Sequence, residues 1–106
     1  MAVIAITVLD LKPGRWEDAQ GVIKTGNALI KKHGGENVTT MVGMLAGPAS
    51  GSVSTLWTTT DWESFGKAFN ALMADPELTA LMTDSMGPDG PTVGFDTYVN
   101  QTIPDL

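Results

Sequence analysis

The chain has 106 residues, 42% hydrophobic and 17% charged, which is enough apolar material for one ordinary core in a single domain. Its formal charge is −6, with 12 acidic against 6 basic residues, so a nucleic-acid-binding face is not expected. There is no cysteine and one histidine, His33, which excludes disulfides, thiolate chemistry and any multi-histidine metal site within one chain. No apolar run approaches the roughly 18 residues of a membrane span, and the first residues lack the basic start of a signal peptide. A cytoplasmic location, with no membrane partner, is the expectation.

In chain order, Ala2–Leu9 is a short β-branched run apolar on both faces, which predicts a strand covered on both sides. Pro13-Gly14 breaks the chain, and Arg15–His33 then carries apolar residues at steps of three and four. Glu17 and Asp18 in its first turn and Lys31, Lys32 and His33 in its last suit a helix dipole, and Gly34-Gly35 marks the stop. Val38–Gly47 and Ser52–Thr60 read as two strands joined by a turn at Pro48–Gly51. Asp61 is a good N-cap for a helix over Trp62–Ala74. Pro76 restarts a short helix, the 87–91 segment breaks it, and Thr92–Thr102 is the last strand.

The order β-α-β-β-α-β is the split βαβ pattern, an α+β, ferredoxin-like fold with a four-stranded antiparallel sheet. Charge is distributed unevenly across it. None lies in 1–9 or in 37–60, and among the expected strands only the last carries one, Asp96. Helices cover one face of such a sheet, and a charge-free second face predicts a second covering layer. The simplest is another copy of the chain, giving a homodimer through the sheet face.

An apolar first strand, helices that both open on Trp-Glu (Trp16-Glu17 and Trp62-Glu63), the Asp75-Pro76-Glu77-Leu78 segment before the last strand and the apolar outer sheet face together resemble the dimeric α+β barrel superfamily over essentially the whole chain. That superfamily includes cofactor-independent monooxygenases, polyketide cyclases, muconolactone isomerases, haem proteins and stress-responsive barrel proteins. The resemblance implies a ligand pocket between sheet and helices. It implies an enzyme of cofactor-independent oxygenation, cyclisation or isomerisation on an aromatic or polyketide-like substrate. The alternative is a non-catalytic ligand-binding or oligomerisation module. Fold alone does not select among them. No phosphate loop, dinucleotide fingerprint or nucleophile elbow is present, and no cofactor is expected.

The candidate catalytic residues are Asp96, Tyr98 and His33. His33 can be a general acid or base facing the pocket, or a helix C-terminal residue that favours the dipole. Asp96 shares a strand face with Tyr98 and Asn100 and can form a polar pocket wall, or it can be an edge-strand charge that opposes aggregation. Trp57, flanked by Thr55 and Thr59, can stack a flat ligand or plug the core. Trp62 and Asn70, with Arg15, are candidate pocket residues only because the resembled monooxygenases use Trp, Asn and Arg around an acidic phenol. Gly26 and Gly66 each interrupt a helix at a cost of about 1 kcal/mol, which suits close packing or room for a ligand.

Overall fold

The computed structural model describes residues 1–44 and 51–106. The elements are β1 (Val3–Leu11), α1 (Trp16–Lys32), β2 (Glu36–Val42), β3 (Val53–Thr59), α2 (Trp62–Ala74), α3 (Pro76–Ser85) and β4 (Thr92–Gln101). The strands form one antiparallel sheet in the order β2-β3-β1-β4. Among the described residues no helix is long and apolar enough to cross a membrane.

Local chemistry accounts for most boundaries. α1 ends at His33, after which Gly34 takes φ 103°, a left-handed value that glycine adopts without strain. The Asp61 carboxylate accepts from the Ser64 N–H at 2.7 Å and caps α2. Asp75 ends α2 and caps α3 by accepting from the Glu77 N–H at 2.8 Å, with Pro76 in the first turn.

The strands differ from expectation at their ends. β1 runs to Leu11 because its pairing with β4 continues past an irregularity at Asp10/Leu11. β2 begins at Glu36, opposite Thr58, and an irregularity follows before Thr39. Asn37 there takes φ 53°, a region asparagine tolerates. Two strand ends therefore carry charges, Asp10 and Glu36, besides Asp96. The expected end of the second strand and most of the turn at Pro48–Gly51 lie outside the described residues.

Strand register sorts the side chains onto two faces. Val3, Ala5, Thr7 and Leu9 stand opposite Thr59, Trp57, Thr55 and Val53 on β3, and opposite Gln101, Val99, Thr97 and Phe95 on β4. This is the helix side, and its centre is the core. Ala5, Trp57, Leu29, Ala68 and Leu72 form one buried cluster. The helices lie mainly over β2 and β3. The helix-side residues of β4 are left open, with Phe95 41% and Val99 40% exposed. The outer face has Ile4, Ile6 and Val8 on β1, Leu56 on β3, Met41 on β2 and Tyr98 on β4.

Candidate functional site

A cavity of about 830 Å³ lies between the helix side of the sheet and the three helices. Ala5, Thr7, Leu9, Thr55 and Trp57 form its floor, and Phe65, Phe69, Leu72, Leu81 and Met82 form its walls. The helices leave the fourth strand uncovered, and the cavity extends along that side to Phe95, Thr97 and Val99. It falls in the size range of small-molecule sites, which are mostly apolar with a few placed polar groups.

One wall is a run of parallel rings. The Trp57 and Phe65 ring centroids are 5.3 Å apart with planes 19° apart, and Phe65 and Phe69 are 5.6 Å apart at 20°. Phe65 and Phe69 are four residues apart on α2, so they stand one turn above each other on one helix face. Trp57 extends the stack onto the sheet. Trp57 stands out in the sequence as a candidate pocket wall, whereas Phe65 and Phe69 stand there only as residues of an apolar helix face. Their i, i+4 spacing opposite a strand tryptophan was the available signal.

Gly26 of α1 also lines the cavity. A Cβ there would meet only Leu81 Cδ2, at 3.8 Å, so the missing side chain leaves room rather than permitting close backbone contact. At Gly66 a Cβ would meet nothing within 4 Å. Asn27, not anticipated from the sequence, lines the cavity and donates from Nδ2 to Thr40 Oγ1 at 3.0 Å.

The expected catalytic group does not assemble. Asp96 borders the cavity along β4. It pairs with Val8, however, and alternates with cavity-lining Phe95 and Thr97, so its side chain belongs to the outer face. Tyr98 is on that outer face too and is 56% exposed. Asn70 is exposed on α2, and Trp62 is 45% exposed. The Trp62 indole Nε1–H donates to Gln101 Oε1 at 2.7 Å, which ties the start of α2 to the edge strand instead of entering the cavity. Trp16 is likewise 46% exposed, so neither helix-opening tryptophan is sealed against the sheet. Arg15 is occupied elsewhere, with Nη2 donating to Asp89 O and Nε to Asp18 Oδ2, each at 2.7 Å. Of the seven candidates only Trp57 and Asp96 border the cavity, and only Trp57 turns its side chain towards it.

His33 lies at the end of α1, where its Nε2–H donates to Asp75 Oδ2 at 2.6 Å. Lys32 Nζ is 3.7 Å from the same oxygen. Asp75 is 8% exposed, so this one carboxylate joins the ends of α1 and α2 to the start of α3. The His33 hydrogen bond, then the Glu77 N–H, hold its carboxyl below the ordinary value of 3.8. A carboxyl lowered by folding contributes stability that is complete above 3.8 and is lost as pH falls through the lowered value. Thermal unfolding followed by circular dichroism is expected to show a melting temperature that drops on acidification below 3.8. Asp75→Asn is expected to melt lower at neutral pH and to show a shallower acid drop. An unchanged acid drop in the variant would assign it to other carboxyls, such as Asp61.

The strand order and the crossing helices define a ferredoxin-like α+β fold of the kind built into α+β barrels. Solved structures carry the comparison further. The chain is similar to a NIPSNAP-like domain protein from Burkholderia xenovorans, at 15% identity over 99% of this chain and 88% of that one, with a TM-score of 0.72. It is similar to a NIPSNAP family protein from Agrobacterium tumefaciens, at 10% identity over 99% and 96%, with a TM-score of 0.74. It is also similar to SnoaB of Streptomyces nogalater, a cofactor-independent oxygenase, at 17% identity over 98% of both chains, with a TM-score of 0.62. At these identities the likeness is one of fold. No family model and no curated protein sequence matches the chain.

Proposed function

We propose that this protein binds a small, flat, largely apolar or aromatic molecule in the sheet–helix cavity. The carrying observation is the Trp57–Phe65–Phe69 stack along a cavity of about 830 Å³. Such a wall offers a flat molecule extensive dispersion contact and hydrophobic burial. The fold shared with SnoaB supports cofactor-independent oxygenation as the chemistry, with cyclisation or isomerisation in the same class. Among the described lining residues no ionisable side chain turns into the cavity. A substrate transformed there would therefore supply its own acidity, as an enolisable ketone or a phenol does. That same feature favours the second reading, a ligand-binding protein without catalysis.

The working unit we propose is a homodimer with the outer sheet faces against each other. Ile4, Ile6, Val8, Leu56, Met41 and Tyr98 give that face its apolar character. Light scattering is expected to give twice the 11.2 kDa chain mass, and a monomer would remove the sheet-on-sheet arrangement.

The cavity is tested by titrating 1-naphthol and following tryptophan fluorescence. Saturable binding is expected. Gly26→Leu places a side chain in the cavity and removes a helix-interior glycine, so the variant is expected to fold and to bind at least about tenfold more weakly, a loss of 1.4 kcal/mol. Absence of saturable binding by the unaltered protein would overturn the proposal.

A further inference from the structure

One register row crosses all four strands on the helix side of the sheet. Thr40 of β2 stands opposite Thr55 of β3, Thr55 opposite Thr7 of β1, and Thr7 opposite Thr97 of β4. Thr55, Thr7 and Thr97 line the cavity. Four hydroxyl side chains thus form one row across the sheet, three of them on the floor of a mostly apolar chamber.

Three of the four are engaged. Thr40 Oγ1 accepts from Asn27, and the Thr7 and Thr97 hydroxyls bond each other at 3.0 Å. Thr55 is 7% exposed, and among the described residues its hydroxyl has no hydrogen-bond partner. It is not a sealed group either, because among the described residues no fully buried side-chain oxygen lacks a partner. The hydroxyl therefore opens onto the cavity. A hydroxyl left unengaged by the protein offers its hydrogen bond to whatever occupies the cavity, and a ligand that displaces solvent there must replace that bond. Trp57 is two residues further along the same strand face, so a flat molecule against the ring wall brings its edge to Thr55.

We infer that Thr55 is the specificity-determining residue of the cavity, and that its ligand is a neutral flat aromatic carrying a phenol or ketone oxygen on one edge. The inference rests on the ligand-binding reading of the same cavity. A threonine hydroxyl can both donate to a ketone and accept from a phenol. No lysine or arginine lines the cavity among the described residues, so a carboxylate or phosphate on that edge would meet no opposite charge.

The test compares 1-naphthol with naphthalene, two probes of one ring system that differ by the hydroxyl. Their dissociation constants are measured by tryptophan fluorescence for the unaltered protein, Thr55→Val and Thr55→Ser. Valine keeps the β-branched shape and removes the hydroxyl. Serine restores the hydroxyl without the methyl. The preference for naphthol over naphthalene is expected to fall about five- to tenfold in Thr55→Val, in keeping with the loss of one hydrogen bond, and to return to within about twofold in Thr55→Ser. A preference unchanged in Thr55→Val, with both probes still binding, would overturn the role of Thr55 and leave the cavity proposal standing. Failure of both probes to bind the unaltered protein would overturn both. A Thr55→Val protein that binds naphthalene as well as the unaltered protein does shows that the variant is folded.

Discussion

Trp57→Ala is expected to lower the unfolding free energy by about 3–5 kcal/mol, measured by urea denaturation. The indole is 4% exposed at the centre of the buried cluster and stacks on Phe65. A Cβ at Gly35 would approach Trp57 Cε3 to 3.1 Å, so the chain end of α1 already sits tightly against the ring. Removing the side chain leaves a void that merges with the existing cavity, of which Trp57 is a lining residue. Domains are typically stable by about 5–15 kcal/mol, so this single change removes a large share. Trp16→Ala is the comparison, because that ring is nearly half exposed and its loss is expected to cost much less. A loss below about 1 kcal/mol for Trp57→Ala would show that the ring is not the keystone of the core.

Gly90→Ala is expected to destabilise by about 3 kcal/mol, at the upper end of overpacking costs. A Cβ there would fall onto the backbone carbonyls of Ser85 and Asp84, and backbone cannot move aside as a side chain can. The position is held from several directions. Lys12 N–H donates to Pro91 O at 2.8 Å, Lys12 Nζ to Gly87 O at 3.1 Å, and Arg15 Nη2 to Asp89 O at 2.7 Å. Beneath the turn, the buried Ser85 and Thr92 hydroxyls bond each other at 2.6 Å. The backbone therefore has little freedom to accommodate a methyl group. Gly87→Ala is the control. Its Cβ would stand 3.4 Å from the nearest carbonyls, an ordinary contact, and the melting temperature is expected to change little. Equal melting temperatures for the two variants would show that the turn adapts.

Gly90 also shows where sequence reading stops. The 87–91 segment is a recognisable breaker between α3 and β4, yet nothing local says that one of its two glycines is pinned and the other is not. That difference arises from the carbonyls of α3 folding under Gly90, which is a contact between the turn and the helix end. The same limit applies to Arg15. As the only arginine it looks available for substrate, but it is spent on the carbonyl of Asp89 and the carboxylate of Asp18.

Periodicity was sufficient along the regular part of each strand. Alternation placed Val3, Ala5, Thr7 and Leu9 on one side of β1 and set Val93, Phe95, Thr97 and Val99 together as the better core face of β4. The last three stand on that side, but the irregularity at Asp10/Leu11 leaves Val93 59% exposed and buries Thr92 instead. Steps of three and four located the helices, and Asp61 fitted as the cap of α2 because capping is decided within a few residues. Alternation also separated Asp96 and Tyr98 from that core face. It could not show that the cavity lies on the core face, from which the Asp96 and Tyr98 side chains point away. His33 followed the same pattern. Its helix-end position was legible, but its partner Asp75 is 42 residues away.

The order of elements, the two faces of each strand outside its irregular end and the apolar, weakly charged sheet were thus determined by the sequence itself, because each depends on side chains a few positions apart. The stacked Trp57–Phe65–Phe69 wall, the cavity-facing hydroxyl of Thr55 and the threonine row across four strands were decided only by the tertiary structure. Each joins residues from separate elements through strand register and helix placement. Those are set by how the whole core packs, and no local spacing encodes them.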